Sequence, residues 1–587
     1  MKRGSLRVAN ATGFLRVIRL YNRWTTRRLL RRAGGYFHTT GLLVGTVFFA
    51  MSLAPSLLPR EDAVQGVISG LSLAAGYGTG VVGWWIWSYF QLPVATPRVQ
   101  WRIGLVATIL CVLLAVASLM RASVWQNSLR ELMGMDPVSG VQATVVGLVA
   151  LLVFLAALLV ARLFQRTLLY LSRRLQRFVP PRISYLIGAL AALVLFWSII
   201  DGVLFSLALQ AADRSYQRID ALIDPEIEPP RNPLRTGSET SMLDWEQLGR
   251  QGRRFLSSGP RAEDIAEFTD GVAREPIRIY VGLNSAETPE ERAELALAEL
   301  QRVNAFDRSV LVIMTPTGTG WIDPASIDTL EYLHRGDVAT VAAQYSYLPS
   351  PLALMQEGEY GVDMARALFQ AIYRHWSALP ADQRPDMYLQ GMSLGALNSD
   401  RSFDFYDIID DPFDGALWIG PPFRSETWRD VTQRRDPGSP AWLPRFRGGE
   451  VVRFANQQGG MGEASADWGS FRIAFLQYAS DPVTFFDPRT FYREPDWMAG
   501  ERAPDVSDDL RWFPIVTGLQ LAADMAFGTA PEGYGHQYAP EHYHDAWLAL
   551  TGPGGWSDAS LQRLREMHRA GGGYRIIMEP TILNAPR

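Results

Sequence analysis

Cysteine, lysine and histidine are almost missing from this chain of 587 residues. The single cysteine, Cys111, excludes an intramolecular disulfide and any cysteine-based metal cluster. In the run "ILCVLLAVASLM" it reads as a small packed apolar residue rather than a reactive thiol. Lys2 is the only lysine, so nearly every cation is arginine, which we attribute to coding bias. The formal net charge of −4 lacks the strongly basic balance of nucleic-acid-binding domains, so no nucleic-acid partner is expected. With only seven histidines, a catalytic base can be sought by elimination.

Charge is also scarce in long stretches of the first two fifths. A hydrocarbon core of about 30 Å needs roughly 20 apolar helical residues. Five stretches meet that length, namely 36–57, 64–90, 103–120, 141–164 and 183–210, so residues 36–210 read as an all-α transmembrane bundle. The segment "SLAPS" resembles a signal-peptide cleavage site, but four further spans behind it favour an uncleaved first helix. The basic arm 1–35 and the arginines at 98, 102, 162, 166, 173, 174 and 177 place the N terminus in the cytoplasm by the positive-inside rule. An odd number of spans then puts the remainder outside the cytoplasmic membrane. Asp201, in "FWSIIDGVLFSL", is the one acid deep in an apolar run; it suits either a proton or substrate role or a place near the outer headgroups.

Residues 211–275, with "DPEIEPPRNPLRTGS", read as an extracytoplasmic linker, with room for a short helix in "MLDWEQLGRQGRRFL". From 276 to 587, strand-like runs ("IRIYVGL", "SVLVIMTPTG", "VATVAAQYSYL", "DMYLQGMSLG", "GALWIGPPF", "FRIAFLQYASDP") alternate early on with helical segments such as "PEERAELALAELQRV" and "YGVDMARALFQAIYRHW". That alternation predicts an α/β domain with a mainly parallel sheet. In such sheets, active groups gather at the carboxyl ends of the strands.

The stretch "MYLQGMSLGALNSD" meets that positional requirement. Its G-x-S-x-G pattern is weak alone, but Ser393 follows a strand and precedes a helix, as a nucleophile elbow requires. A serine nucleophile needs a base, usually a histidine oriented by a carboxylate. His38 lies at the first span, His334 and His375 in helices before the serine, and His568 in a polar tail. The other three lie in "PEGYGHQYAPEHYHDAW"; His536, in a glycine-containing loop, is favoured over His542 and His544. Asp481, just beyond a strand in "FLQYASDPV", is the expected acid, with Asp487 its rival. The order Ser393, Asp481, His536 suits an α/β-hydrolase. For the oxyanion, the Leu394 amide and that of Thr317 or Gly318 in "TPTGTGW" are the candidate donors. A zinc alternative built on His536, His542, His544 and Asp545 lacks an H-E-x-x-H pattern and leaves the elbow unexplained, so no metal or cofactor is expected.

The segments "SLAPSLLPR", "GSETSMLDWEQLGRQGRRF", "TPTGTGW", "GMSLGALNS", "GALWIGPPF", "QYASDPV" and "GYGHQY" together resemble the bacterial membrane-anchored α/β-hydrolase family, formerly described as a domain of unknown function. The resemblance implies a multispan N-terminal region, a C-terminal hydrolase-like domain and a catalytic set at Ser393, Asp481 and His536. The expected activity is hydrolysis of a lipid or envelope acyl ester at the outer face of the cytoplasmic membrane. An acyltransferase with the same triad, or a non-catalytic binding or sensing protein, are the alternatives.

Overall fold

The computed structural model describes residues 37–570, except 139, 141, 351 and 354–358. The basic arm 1–35 lies outside the described residues. The N-terminal part is a helical bundle of α1 (Thr39–Ser52), α2 (Asp62–Tyr89), α3 (Pro97–Leu132), α4 (Ala143–Leu175) and α5 (Pro181–Ile199). From α2 onward each helix is long and apolar enough to cross a membrane. Leu113, Leu152, Leu159, Leu186 and Val194 face outward, an apolar exterior that lipid solvates and water does not. The chain is a membrane protein.

The five expected spans become four among the described residues. Helix α1 has 14 residues, about 21 Å at 1.5 Å per residue, which falls short of the hydrocarbon core. Its apolar run continues beyond Ser52, but Pro55 disfavours helical backbone at the residue before it, and the chain turns away. Helix α1 instead lies close against α2. A Cβ on Gly80 would come 2.4 Å from the Thr40 carbonyl oxygen, a backbone approach that only small residues permit.

Helix α5 passes through a π-helical turn, Ile200–Phe205, into α6 (Ser206–Asp220). Asp201 is exposed there, at the end of the apolar helical stretch Pro181–Gly202. Beyond Asp220 the expected linker is not a loose tether. Leu243, Leu248, Phe255, Leu256 and Ile265 are buried in the same core as the sheet. The polar residues that suggested a linker satisfy one another: Asp224 pairs with Arg250 and Arg254, and Arg253 donates to the Asp220 and Leu222 carbonyls. The apolar side chains between them are left free to pack on the strands.

The C-terminal domain contains β1 (Ile277–Val281), α7 (Pro289–Arg302), β2 (Val310–Thr315), α8 (Pro324–Leu333), β3 (Val338–Ala343), α9 (Tyr360–Ser377), β4 (Asp386–Met392), α10 (Leu394–Asp400), β5 (Gly415–Ile419), β6 (Val452–Ala455), β7 (Arg472–Leu476), α11 (Val516–Phe527), α12 (Pro540–Thr551) and α13 (Asp558–Arg569). Its seven strands form one parallel sheet in the order β1-β3-β2-β4-β5-β7-β6. Strands β1, β2, β3 and β5 are buried along their whole length, as expected for a parallel sheet covered on both faces. Strand β6, in "VVRFANQQGG", was not expected from the sequence; it takes the edge beyond β7. All carboxyl ends share one rim, and β4, β5 and β7 are adjacent on it.

Candidate active site

Strand β4 ends at Met392, and Ser393 begins a sharp turn into α10 with φ +55° and ψ −126°. A non-glycine residue in that region stores backbone strain of order 1–3 kcal/mol, and such strain concentrates at functional sites. The flanking glycines are sterically required. A Cβ on Gly391 would lie 2.4 Å from the Gly395 carbonyl oxygen, and one on Gly395 would lie 2.2 Å from that of Thr315 on the neighbouring strand β2. The Ser393 amide donates to the Ile419 carbonyl at 2.8 Å, which ties the turn to the end of β5. Ser393 itself is 7% exposed.

Asp481 lies in the turn after β7 and is fully buried. Its Oδ1 accepts the Val483 amide at 2.8 Å, while Oδ2 accepts the Tyr538 hydroxyl at 2.8 Å and faces His536 Nδ1 at 2.7 Å. A ring nitrogen facing a carboxylate carries the proton, which leaves Nε2 with the lone pair. That Nε2 is buried and makes no hydrogen bond within the described residues. Burial and the neighbouring Asp481 carboxylate hold the Tyr538 hydroxyl well above the ordinary phenol range, so it remains a donor. The ring of His536 covers the end of β5, where a Cβ on Gly420 would be 2.7 Å from Cε1. Gly420 follows Ile419, the backbone partner of Ser393, so the serine turn, the histidine loop and the aspartate turn all lie on the rim formed by β4, β5 and β7.

The His536 loop is tightly held. The Gly533 amide donates to the Gln537 carbonyl at 2.7 Å, and the Gly535 amide to Ser480 Oγ at 2.9 Å. The Ser480 amide and Gln457 Nε2 both donate to Asp505 Oδ2.

The oxyanion candidates divide. Leu394 opens α10, so its amide has no intrahelical acceptor. The Thr317 amide is committed to the Trp321 carbonyl at 2.9 Å, because "TPTGTGW" closes on itself as a turn; Thr317 is therefore corrected as a donor. The Gly318 amide donates to the Ser350 hydroxyl at 3.3 Å, a longer bond to a side chain that can rotate away.

The rival residues go elsewhere. Asp487 caps a short 3-10 turn by accepting the Arg489 amide. His542 Nδ1 bonds the Tyr478 hydroxyl, and His544 Nε2 bonds His568 Nδ1 at 2.8 Å in the interior. His568 is buried in α13 rather than in a polar tail. His536, His542 and His544 thus take three separate partners. No group of three or more histidine, cysteine or acidic residues is placed to hold a metal ion among the described residues. Sequence reasoning missed Tyr538, Gly420 and Ser480. Tyr538 could have been suspected from its place two residues after His536.

Burial pushes His334 down to about 4, with Nε2 2.8 Å from Thr551 Oγ1. The unfolded chain takes up a proton below about pH 6.5 and the folded chain does not, so this group withdraws stability as pH falls from 6.5 towards 4. His334→Gln should therefore flatten the acid side of the stability–pH profile relative to wild type, by roughly 3 kcal/mol at pH 4. Parallel profiles for the two proteins would contradict it. The comparison is needed because Asp323, which burial raises to about 6, acts in the opposite sense: it withdraws stability as pH rises from about 4 to 6.

Fold and site together define an α/β-hydrolase-like protein fused to a membrane bundle. The chain matches the model described as alpha/beta-hydrolase family over residues 277–564, and the model described as alpha/beta-hydrolase family N-terminus over 53–260. It belongs to that family. No curated protein and no solved structure matches it significantly.

Proposed function

We propose that the chain is a membrane-embedded serine hydrolase acting on acyl esters through Ser393, His536 and Asp481. The observation that carries this reading is a strained elbow serine on the rim where His536, its Nδ1 held by a buried carboxylate, keeps Nε2 unpartnered. Ser393 Oγ attacks the ester carbonyl and His536 Nε2 takes its proton. The Leu394 amide, with that of Gly318 once Ser350 turns aside, stabilises the oxyanion. Collapse expels the alkoxide, which receives the proton from His536, and water, deprotonated by the same nitrogen, releases the acid and regenerates Ser393. Asp481 holds the imidazolium throughout and Tyr538 holds Asp481.

The proposed substrate is a lipid or envelope acyl ester, because Gly535, directly before His536, packs against Leu58 of the connection between α1 and α2, which keeps the site close to the bundle and so to the bilayer. The proposed sidedness is supported by which end of the bundle meets the domain. Met133, at the end of α3, is buried in the hydrolase core, and the Gln142 amide bonds Asp62 at the start of α2. The domain thus sits on the face opposite the connections that carry Arg98, Arg102 and Arg173–Arg177. By the positive-inside rule those connections are cytoplasmic and the domain is extracytoplasmic, whether or not α1 crosses.

The test is labelling with a membrane-impermeant fluorophosphonate on sealed vesicles of both orientations. Adduct on Ser393 in right-side-out vesicles alone is the expected result. Absence of adduct in the detergent-solubilised protein, where a control hydrolase reacts, would sink the enzyme reading.

A further inference from the structure

The connection between α1 and α2, "LAPSLLPR", links two membrane helices yet is buried under the hydrolase domain. Leu57 and Leu58 are 1% and 2% exposed. The Asp524 carboxylate on α11 accepts the Leu57 amide at 3.1 Å and Arg60 Nε at 2.5 Å, in an ion pair sealed from solvent. Gln520 Nε2, one turn earlier, donates to the Ser52 and Ala54 carbonyls. Removing one partner of such a buried pair leaves an uncompensated charge, so this contact fixes the connection in place.

What the connection presents to the domain is Leu58. A Cβ on Gly535, the residue directly before His536, would come 3.1 Å from Leu58 Cδ2, and one on Gly528 would come 2.5 Å from Cδ1. The Thr529 amide points to the Pro59 carbonyl at 3.4 Å. The segment from Gly528 to His536 is therefore held from two sides: Ser480 and Gln457 from within the hydrolase domain, and Leu58 from the membrane bundle.

We infer that Leu58 is a positioning residue for His536, and that the membrane bundle builds part of the active site rather than serving only as an anchor. This rests on the assignment of His536 as the base. A base displaced by about 1 Å from its attack geometry can lose about 100-fold in rate. The gap left by a truncated Leu58 opens beside the backbone that carries the imidazole.

The experiment uses full-length protein in nanodiscs, with p-nitrophenyl butyrate turnover and fluorophosphonate labelling rate as readouts. Leu58→Ala should lower kcat by about 10- to 100-fold with KM changed less than about threefold, and should slow labelling in proportion. Leu58→Met, which refills the space, should restore both. Leu300→Ala, truncating a buried leucine of α7 away from the loop, should be destabilised comparably while kcat stays within about twofold of wild type. Leu58→Val carries the same test if the alanine variant is not recovered folded, with a loss of about three- to tenfold. Wild-type kcat and labelling in Leu58→Ala, or an equal loss in Leu300→Ala, would overturn the inference. Wild type that does not label, or His536→Ala that labels like wild type, would instead overturn the reading of the site itself.

Discussion

Replacing Ser393 by alanine should lower ester turnover by about 10⁵- to 10⁶-fold and abolish fluorophosphonate adduct formation, because the nucleophile and its base act as a unit and loss of either removes nearly all of their joint effect. Turnover and thermal midpoint should separate. The hydroxyl makes no capping hydrogen bond to α10, whereas the backbone at φ +55°, ψ −126° is strained for alanine as it is for serine. Ser393→Gly releases that strain and should raise stability by about 1–2 kcal/mol while remaining inactive. Turnover that survives in both variants would place the chemistry elsewhere. A midpoint that falls steeply in Ser393→Gly would show that the elbow is unstrained.

Asp481→Asn should lower kcat by about 10⁴-fold with little change in KM. The substitution is isosteric, and its oxygen can still accept the Val483 amide. The other atom becomes an NH₂ group facing His536 Nδ1, so the imidazole turns to the tautomer that carries its proton on Nε2 and can no longer accept one from Ser393. The Tyr538 hydroxyl, now opposite a donor, loses its acceptor in a fully buried setting, which costs about 1–3 kcal/mol of stability. Asp487→Asn, at a surface turn, should remain within about twofold of wild type. Equal losses at both positions would show that Asp481 acts on stability alone.

The two units of the chain meet in a buried contact at Leu57, Leu58 and Arg60. The Arg60–Asp524 pair joins residues more than 460 positions apart, so detergents or lipids that disturb the end of the bundle should also disturb the rim that carries Ser393 and His536. Soluble fragments beginning near Ile277 lose Leu58 and also the Leu248–Ile265 segment that packs into the core.

Much was legible in the linear sequence because its causes are local. A bilayer demands some 20 uncharged residues, so α2 to α5 are visible as composition alone. The sharp turn at Ser393 is visible because Gly391 and Gly395 are required by contacts within the turn and with the next strand, and Asp481 stands out as a candidate because it follows a strand end. Other features depend on segments far apart in the chain. Proline ended α1 early, and the arginines and aspartates of 211–275 hid the apolar residues that pack on the sheet. Thr317 resembled an oxyanion donor, but its amide is taken by a turn whose closure no composition reveals. Sequence by itself determined the membrane bundle and the α/β class, and singled out Ser393, Asp481 and His536 as candidates, since periodicity, apolar length and steric need at a tight turn are properties of neighbouring residues. Only the tertiary structure decided that β7 lies between β5 and β6, that Tyr538 caps Asp481 and that Leu58 reaches the histidine loop, because packing and buried charge pairing act between residues that the chain order keeps apart.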